Sequence, residues 1–305
     1  MPDLSIELLP GLKLKNPVIG ASGTAGYGDE SARLYDIADI GAFICKGTTL
    51  KPRAGNPQPR IMETPHGLLN AIGLQNPGVE YVIEHYAPLW ATWTTPAFVN
   101  IAAESVEEYA ELAKRLDKVR GVAALEVNIS CPNVAAGCLE FGATAEGAAA
   151  VTRAVKNSTS LPVIVKLTPN TSDIVALAQA VENAGADAVS LINTLRGMAI
   201  DIKKRKPVLG NVTGGLSGPA IKPVALAMVW RVAAAVKIPV IGCGGIATAE
   251  DAIEFLMAGA RAVEVGTAAL VDPRAPLDIV KGIEKYMLQW KMVGVSELIG
   301  VARRG

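Results

Sequence analysis

Short apolar segments rich in β-branched residues recur along the chain, separated by stretches with helical spacing. We predict eight strands, at 17–21, 42–46, 96–101, 123–129, 162–167, 187–193, 238–243 and 262–266. Their nearly continuous apolar character is typical of parallel strands that are buried on both faces. Ala-rich segments such as 105–119, 172–184 and 249–258 predict helices between them, and Gly185 and Gly259 are placed to end two of these helices.

Eight strand–helix units in 305 residues predict a single (β/α)8 barrel, an α/β fold of the TIM-barrel type, over residues 1–305. A doubly wound open sheet is the alternative fold. Two segments fall outside the repeat. Residues 4–14 predict an N-terminal hairpin that plugs the floor of the barrel, and an insertion after strand 2, about residues 51–78, contains a second predicted hairpin around Pro65-His66. Because this insertion follows the carboxyl end of a strand, we expect it on the active face.

Charge and composition argue against several classes of protein. The 29 basic and 29 acidic residues cancel, which indicates neither a nucleic-acid partner nor a membrane surface. No export signal is visible, and no apolar run approaches the roughly 20 residues that a membrane helix needs. Four widely spaced cysteines, Cys45, Cys131, Cys138 and Cys243, form no CxxC pair and no iron–sulfur or zinc signature. We expect a cytoplasmic protein with no metal of its own.

Polar residues or glycines stand at the carboxyl ends of the predicted strands, where (β/α)8 barrels carry their chemistry. In chain order they are Ser22, Lys46, Asn100, Asn128, Lys166, Asn193-Thr194, Gly244-Gly245 and Gly266-Thr267. One polar strand end is ordinary, but a set of this size predicts a binding site at this end of the barrel.

Two lysines are the most informative members of this set. Lys46 follows Ala-Phe-Ile-Cys, and Lys166 lies between Val165 and Leu167. An unpaired ammonium is costly to bury, so each lysine should face an anion, and the pair favours an anionic ligand. For either lysine alone, turning out to water or pairing with a core carboxylate is the alternative.

Glycines at the ends of strands 7 and 8 predict a phosphate site. Gly244-Gly245 and Gly266-Thr267 each precede a predicted helix, and backbone N–H groups at helix N-termini bind phosphate in many barrels. Gly218 also precedes a helix and is placed to add an N–H to the same anion. The alternative is structural, because glycine allows a tight turn and Thr267 suits a helix cap.

The segment after strand 4, Asn-Ile-Ser-Cys-Pro-Asn at 128–133, groups amides, a hydroxyl and a thiol. A free thiol titrates near ~8.5, so Cys131 is a candidate base, although a turn with a buried cysteine is the structural alternative. Cys138 is interpreted as a bystander, and the Gly-containing segment 133–143 as a movable lid. We interpret His66 and His85 as structural, and Cys243 as a packing residue.

These motifs resemble the class 1 dihydroorotate dehydrogenase family. The 128–133 segment is similar to the signature loop of that family, and further matches lie at 21–24, 70–78, 192–194 and 213–218, within a similarity that runs from about residue 4 to 300. The 70–78 and 213–218 segments look most like the NAD-linked subgroup, class 1B.

The resemblance implies oxidation of dihydroorotate to orotate with hydride transfer to FMN. Cys131 would remove a proton from C5 while hydride leaves C6 for flavin N5. The implied substrate-binding residues are Lys46, Asn70, Ala71, Ile72, Gly73, Leu74, Asn128, Asn193 and Thr194. The implied FMN-binding residues are Ser22, Lys46, Gly47, Asn100, Asn128, Lys166, Ile192, Gly218, Gly244, Gly245, Gly266 and Thr267.

The resemblance also implies a partner. Because the cysteines show no iron–sulfur signature, electrons bound for NAD would need a separate iron–sulfur flavoprotein subunit that carries FAD and the cluster, around a homodimer core within a heterotetramer. The rival functions are the fumarate-linked class 1A enzyme and a dihydropyrimidine dehydrogenase-like reductase. Pro132-Asn133 and the 70–78 segment count against the reductase. A non-catalytic phosphate-binding barrel is the alternative outside enzymes.

Overall fold

A computed structural model describes residues 1–130, 132–133 and 139–304 of the chain. The strands, numbered in chain order, are β1 (Ile6–Leu9), β2 (Leu12–Leu14), β3 (Val18–Gly20), β4 (Ala42–Ile44), β5 (Ile61–Thr64), β6 (Gly67–Asn70), β7 (Ala97–Ile101), β8 (Val122–Asn128), β9 (Pro132–Asn133), β10 (Leu139–Glu140), β11 (Val163–Leu167), β12 (Ala188–Leu191), β13 (Leu195–Met198), β14 (Ile200–Asp201), β15 (Lys206–Pro207), β16 (Thr213–Ser217), β17 (Val240–Cys243) and β18 (Ala262–Val265).

The helices are numbered in the same way. They are α1 (Asp29–Ala32), α2 (Val79–Tyr81), α3 (Ala87–Trp90), α4 (Val106–Leu116), α5 (Ala145–Lys156), α6 (Ile174–Asn183), α7 (Lys222–Ala235), α8 (Ala249–Met257), α9 (Thr267–Val271) and α10 (Ala275–Gln289). None of the helices in the described part of the chain is long and apolar enough to cross a membrane.

Eight parallel strands close into a barrel in the order β3, β4, β7, β8, β11, β12, β17, β18. These are the eight predicted strands, and the bounds agree to within two residues at each end. Strands such as β7 and β11 are buried along their whole length, as expected where helices cover the outside and side chains fill the inside. The (β/α)8 prediction is confirmed, and the open-sheet alternative is wrong.

Local capping explains where the outer helices begin. The Ser105 side chain accepts the N–H of Glu108 at the start of α4. The Asp173 side chain likewise accepts backbone N–H groups at the start of α6. Thr248 and Asp251 form a reciprocal capping box at α8. Each cap satisfies backbone N–H groups that have no partner inside the helix, so the three predicted helices begin close to where the sequence places them.

The N-terminal hairpin is confirmed at the amino-terminal end of the barrel. Strands β1 and β2 pair antiparallel, and Gly11 turns between them with a φ of +76°. The Arg261 guanidinium, one residue before β18, donates to the Glu7 carbonyl at 3.4 Å. Leu8 and Leu14 are fully buried, so the hairpin covers the barrel floor.

The insertion after β4 contains the predicted hairpin, β5 and β6. It is part of a larger antiparallel sheet with the order β13, β16, β6, β5. We did not predict β13 and β16, because Leu-Arg-Gly-Met and Thr-Gly-Gly-Leu-Ser are short and rich in glycine, which weakens a strand pattern. Gly215 pairs with Asn70, so the connection after β12 joins the connection after β4.

Replacing the floor residue Leu8 with alanine should destabilise the barrel. Leu→Ala at a fully buried site costs about 2–5 kcal/mol, so the thermal midpoint of Leu8→Ala should fall clearly below that of the wild type. The matched control is Leu34→Ala, because Leu34 is 53% exposed. Equal midpoints for the two variants would contradict the role of the hairpin as part of the core.

Candidate active site

A cavity of about 740 Å³ opens at the carboxyl ends of the barrel strands. Every described residue that the resemblance assigns to cofactor or substrate lines it. The strand-end and loop residues among them are Ser22, Lys46, Gly47, Asn100, Asn128, Lys166, Ile192, Asn193, Thr194, Gly218, Gly244, Gly245, Gly266 and Thr267. The insertion contributes Asn70, Ala71, Ile72, Gly73 and Leu74. Cys131 and residues 134–138 of the expected lid, Cys138 among them, lie outside the described residues.

Lys166 reaches the inside of the barrel from β11 and forms a buried ion-pair cluster. Its Nζ lies 2.5 Å from Glu264 Oε2 and 3.3 Å from Glu126 Oε1, and it also donates to Ser22 Oγ at 3.3 Å. The Lys166 side chain is 7% exposed, and both glutamate side chains are fully buried. For Lys166, the alternative of pairing with a core carboxylate is therefore what the structure shows.

Sequence analysis missed both carboxylates. Glu126 interrupts the apolar run of β8, and Glu264 interrupts that of β18. A buried carboxylate needs a partner, so a lone Glu in an apolar strand was a usable signal. Its direction, into the barrel rather than toward the helices, is set by the register and tilt of the closed sheet, which the sequence does not display.

Glu126 is the better satisfied of the two carboxylates. Its Oε2 accepts from Asn100 Nδ2 at 2.5 Å, and its Oε1 accepts from Ser190 Oγ at 3.0 Å. Burial alone would raise the pKa of Glu126, but the Lys166 ammonium and hydrogen bonds outweigh burial and hold that pKa below its usual range. Asn100 also donates to Ser22 Oγ at 3.4 Å, which joins two predicted site residues to this network.

Glu264 is placed differently. Its Oε2 meets Lys166, while its Oε1 is buried and has no hydrogen-bond partner among the described residues. Burial and the neighbouring Glu126 charge raise the pKa of Glu264 to about 7. Burial alone would lower the pKa of Lys166, but the charges of the two glutamates raise it well above its usual value, so Lys166 stays an ammonium.

Lys46 is the other lysine of the cavity, and it has no carboxylate partner in the part of the chain that the structure describes. It follows β4, is half-buried, and its backbone N–H donates to the Gly26 carbonyl at 2.8 Å. Burial lowers the pKa of Lys46, Glu30 opposes this effect, and Arg60 adds to it. The expectation that each lysine faces an anion is met at Lys166 by the core carboxylates, and for Lys46 it stays a prediction.

Amide side chains form a connected group on one side of the cavity. Asn193 Nδ2 donates to Asn128 Oδ1 at 3.2 Å and to Ser130 Oγ at 3.1 Å. Asn193 Oδ1 accepts the Thr194 N–H at 2.8 Å, and the Tyr109 hydroxyl donates to the Asn128 carbonyl at 2.6 Å. These bonds fix the amide orientations, so the group can present donors and acceptors to a flat polar ligand.

The 70–74 segment is held against the cavity by a residue that sequence analysis did not single out. Asn56 donates its backbone N–H to the Ile72 carbonyl at 3.0 Å and its side-chain amide to the Ala71 carbonyl at 3.1 Å. Gly73 has a φ of +74°, and a Cβ there would lie 2.5 Å from the Asn56 backbone nitrogen. Only glycine allows this close approach.

The glycines after β17 bring two backbone segments together. A Cβ on Gly245, whose φ is +78°, would lie 2.7 Å from the Lys222 backbone nitrogen and 2.9 Å from the Gly218 carbonyl oxygen. The start of α7 and the β17 loop therefore meet at the cavity, as an anion site built from backbone N–H groups requires. Lys222 itself pairs with Asp251 at 2.7 Å and Glu254 at 3.0 Å.

Four residues for which the sequence analysis gave a structural interpretation can now be placed. The Thr267 hydroxyl donates to Ser217 Oγ at 2.8 Å, and Gly266 rather than Thr267 precedes α9, so the cap interpretation of Thr267 is wrong. Cys243 lines the cavity and is partly exposed, and burial raises the pKa of its thiol, so its interpretation as a packing residue stays a prediction. His66 turns the β5–β6 hairpin with a φ of +59°, and the His85 ring stacks on Tyr81 at 3.9 Å.

Comparison with known proteins agrees with this geometry. Residues 5–287 match the family model described as dihydroorotate dehydrogenase. The relative from Desulforamulus reducens, named dihydroorotate dehydrogenase B (NAD(+)), catalytic subunit, is 58% identical over 291 residues, which cover 95% of this chain and 96% of the relative.

Two further relatives carry the same name. That from Geobacter metallireducens is 58% identical over 299 residues, and the alignment covers 98% of both chains. That from Pelobacter propionicus is 57% identical over 299 residues, again with 98% of each chain covered. The resemblance that the motifs indicated is confirmed, and the chain belongs to the dihydroorotate dehydrogenase family.

Proposed function

We propose that this protein oxidises dihydroorotate to orotate in de novo pyrimidine (UMP) biosynthesis, with FMN as its cofactor, in one domain that spans residues 1–305. The family and the name that its relatives carry support the reaction. The observation that carries the proposal is that every described residue assigned to FMN or substrate lines one cavity.

The residues of the cavity fit a flavin mononucleotide. Its volume of about 740 Å³ is in the range of cofactor pockets. Close backbone approach at Gly218 and Gly245 suits a phosphate, and Asn100 with Lys166 offers donors to the polar edge of a ring. When bound, FMN would supply a hydride acceptor at N5.

The residues of the chain would then bind and orient the substrate. Lys46 is placed to meet the dihydroorotate carboxylate, and the fixed amides of Asn128 and Asn193 would align the pyrimidine ring. Asn70 to Leu74 would hold the opposite side of the ring. Lys166 would stabilise negative charge at the edge of the flavin ring.

Cys131, outside the described residues, is proposed as the base. Its thiolate would take the proton from C5 of dihydroorotate, and the electron pair of that C–H bond would form the C5=C6 double bond as hydride leaves C6. The other cysteines near the cavity are poor candidates, because burial raises the pKa of Cys45 to about 12 and raises that of Cys243 as well.

We further propose that electrons pass to NAD+ through a separate iron–sulfur flavoprotein subunit that holds FAD, with this chain as a homodimer core within a heterotetramer in the cytoplasm. The relatives are named catalytic subunits of a NAD(+) enzyme, which favours this subgroup over the fumarate-linked one. In the described residues, no group of three or more His, Cys, Asp or Glu is arranged to hold a metal.

Replacing Cys131 with alanine should leave FMN bound but slow its reduction. Loss of a positioned general base slows a reaction by about 10²- to 10⁴-fold. Anaerobic dihydroorotate should therefore bleach the flavin absorbance of Cys131→Ala at least about 100-fold more slowly than that of the wild type at neutral pH. Cys138→Ala is the matched control and should bleach at the wild-type rate. Undiminished bleaching by Cys131→Ala would remove the base assignment.

Replacing Gly245 with alanine should weaken FMN binding. The added Cβ would lie 2.7 Å from the Lys222 backbone nitrogen at a positive φ, so the loop must move. We expect the Kd for FMN, measured by quenching of flavin fluorescence, to rise at least about tenfold. Gly185→Ala is the control, because Gly185 also has a positive φ but its Cβ would come no closer than 3.7 Å to another residue. Equal affinities for both variants would contradict the phosphate site.

The purified chain alone should pass electrons from dihydroorotate to an artificial acceptor dye but not to NAD+. Formation of NADH, followed by its absorbance, should appear only when the partner subunit is added. Reduction of NAD+ by the chain alone would overturn the proposed partner, and reduction of fumarate would favour the other subgroup.

A further inference from the structure

Three charged side chains lie together inside the barrel, at the base of the cavity. The Lys166 ammonium sits between Glu264 Oε2 at 2.5 Å and Glu126 Oε1 at 3.3 Å, and all three side chains are buried. With both glutamates ionised the cluster would carry a net charge of −1. A net charge in a buried site is costly, so a second positive charge or a proton is required.

Among the described residues, the neighbouring strands do not supply that second charge. The titratable groups that face the cluster from them are Cys45 after β4 and Cys243 at the end of β17, and burial raises the pKa of both thiols, so both are neutral. The remaining partners of the cluster among the described residues, Ser22, Asn100 and Ser190, are neutral hydrogen-bonding groups.

Hydrogen bonds indicate which carboxylate carries a proton. Both oxygens of Glu126 accept hydrogen bonds, from Asn100 Nδ2 and Ser190 Oγ. Glu264 Oε1 is buried and has no donor within the described residues. A proton on Glu264 would remove its charge and could be donated to Glu126, whose side chain is close enough to hydrogen-bond with that of Glu264.

We propose that Glu126 and Glu264 hold one proton between them, resident on Glu264, and that this proton keeps the positive charge of Lys166 available to an anion in the cavity. The two glutamates are positioning residues that act through Lys166. The effect on Lys166 rests on the proposed function, because the anion in question is the flavin, whose reduction adds negative charge beside Lys166.

The pKa directions agree with this arrangement. Burial and the Glu126 charge raise the pKa of Glu264 to about 7, while the pKa of Glu126 is held below its usual range. The folded protein without flavin would therefore lose the proton as the pH rises through about 7. Above that pH the cluster would be negative, and Lys166 would stabilise a new anion less well.

The shared proton is tested first in the flavin-free full chain by infrared titration. The wild type should show the C=O stretch of a protonated carboxyl group, which disappears as the pH rises through about 7, well above the range of an ordinary glutamate. Glu264→Gln should lack this band. Glu254→Gln, the same change at a partly exposed residue of α8, should keep it.

This measurement needs neither flavin nor dihydroorotate, so its failure is separate from failure of the proposed function. A wild type without such a band, or a Glu264→Gln variant that keeps it, would overturn the shared proton. If Glu264→Gln does not fold, Glu126→Gln serves instead. It removes the neighbouring charge that raises the pKa of Glu264, so the band should disappear at a lower pH than in the wild type; an unchanged titration would overturn the sharing.

The coupling to the cavity is tested in the FMN-loaded protein by the midpoint potential of the bound flavin. Above about pH 7 reduction in the wild type should take up one extra proton, a tenfold effect per pH unit that corresponds to about 30 mV per unit for two electrons. Glu264→Gln should lack this added slope, and Glu254→Gln should match the wild type. Equal slopes in wild type and Glu264→Gln would overturn the role of the proton.

Discussion

Pairing of the last barrel strand with the first is the constraint on which the site depends. Strand β18 lies beside β3, with Glu264 opposite Ile19 and Val265 opposite Gly20. This closure places Glu264 of the last strand within reach of Lys166 across the barrel, and Lys166 in turn donates to Ser22 after the first strand. Without closure, Glu264 and Lys166 would stand on separate parts of an open sheet.

The fold could be predicted largely from local pattern. Buried parallel strands such as β7 and β11 are continuous apolar segments, and helices such as α4 and α6 begin at a Ser or Asp that caps them. Strand β16 could not be found in this way, because its pairing with the insertion spans a long sequence separation, as Gly215 with Asn70 shows, and β13 in turn pairs with β16.

The location of the site could be predicted from the sequence, but the pairing of its buried charges could not. Strand-end residues such as Asn100 and Lys46 converge as expected, because parallel strands end at one face. The partnership of Lys166 was not predictable, since it depends on which residues of β8 and β18 point inward, and that is a property of the closed sheet. The role of Cys131 is inferred from thiol chemistry and from the resemblance, and this residue lies outside the described part of the chain.

The sheet made by β13, β16, β6 and β5 ties together two connections that are far apart in sequence. Residues 68–70 of one connection pair with residues 215–217 of the other above the cavity. In barrel enzymes the loops at the carboxyl face often vary independently, which lets one scaffold acquire new substrates. Here an exchange of one connection for that of a distant relative would leave unpaired strand edges on the other, so these two segments should be inherited, and engineered, as a single unit.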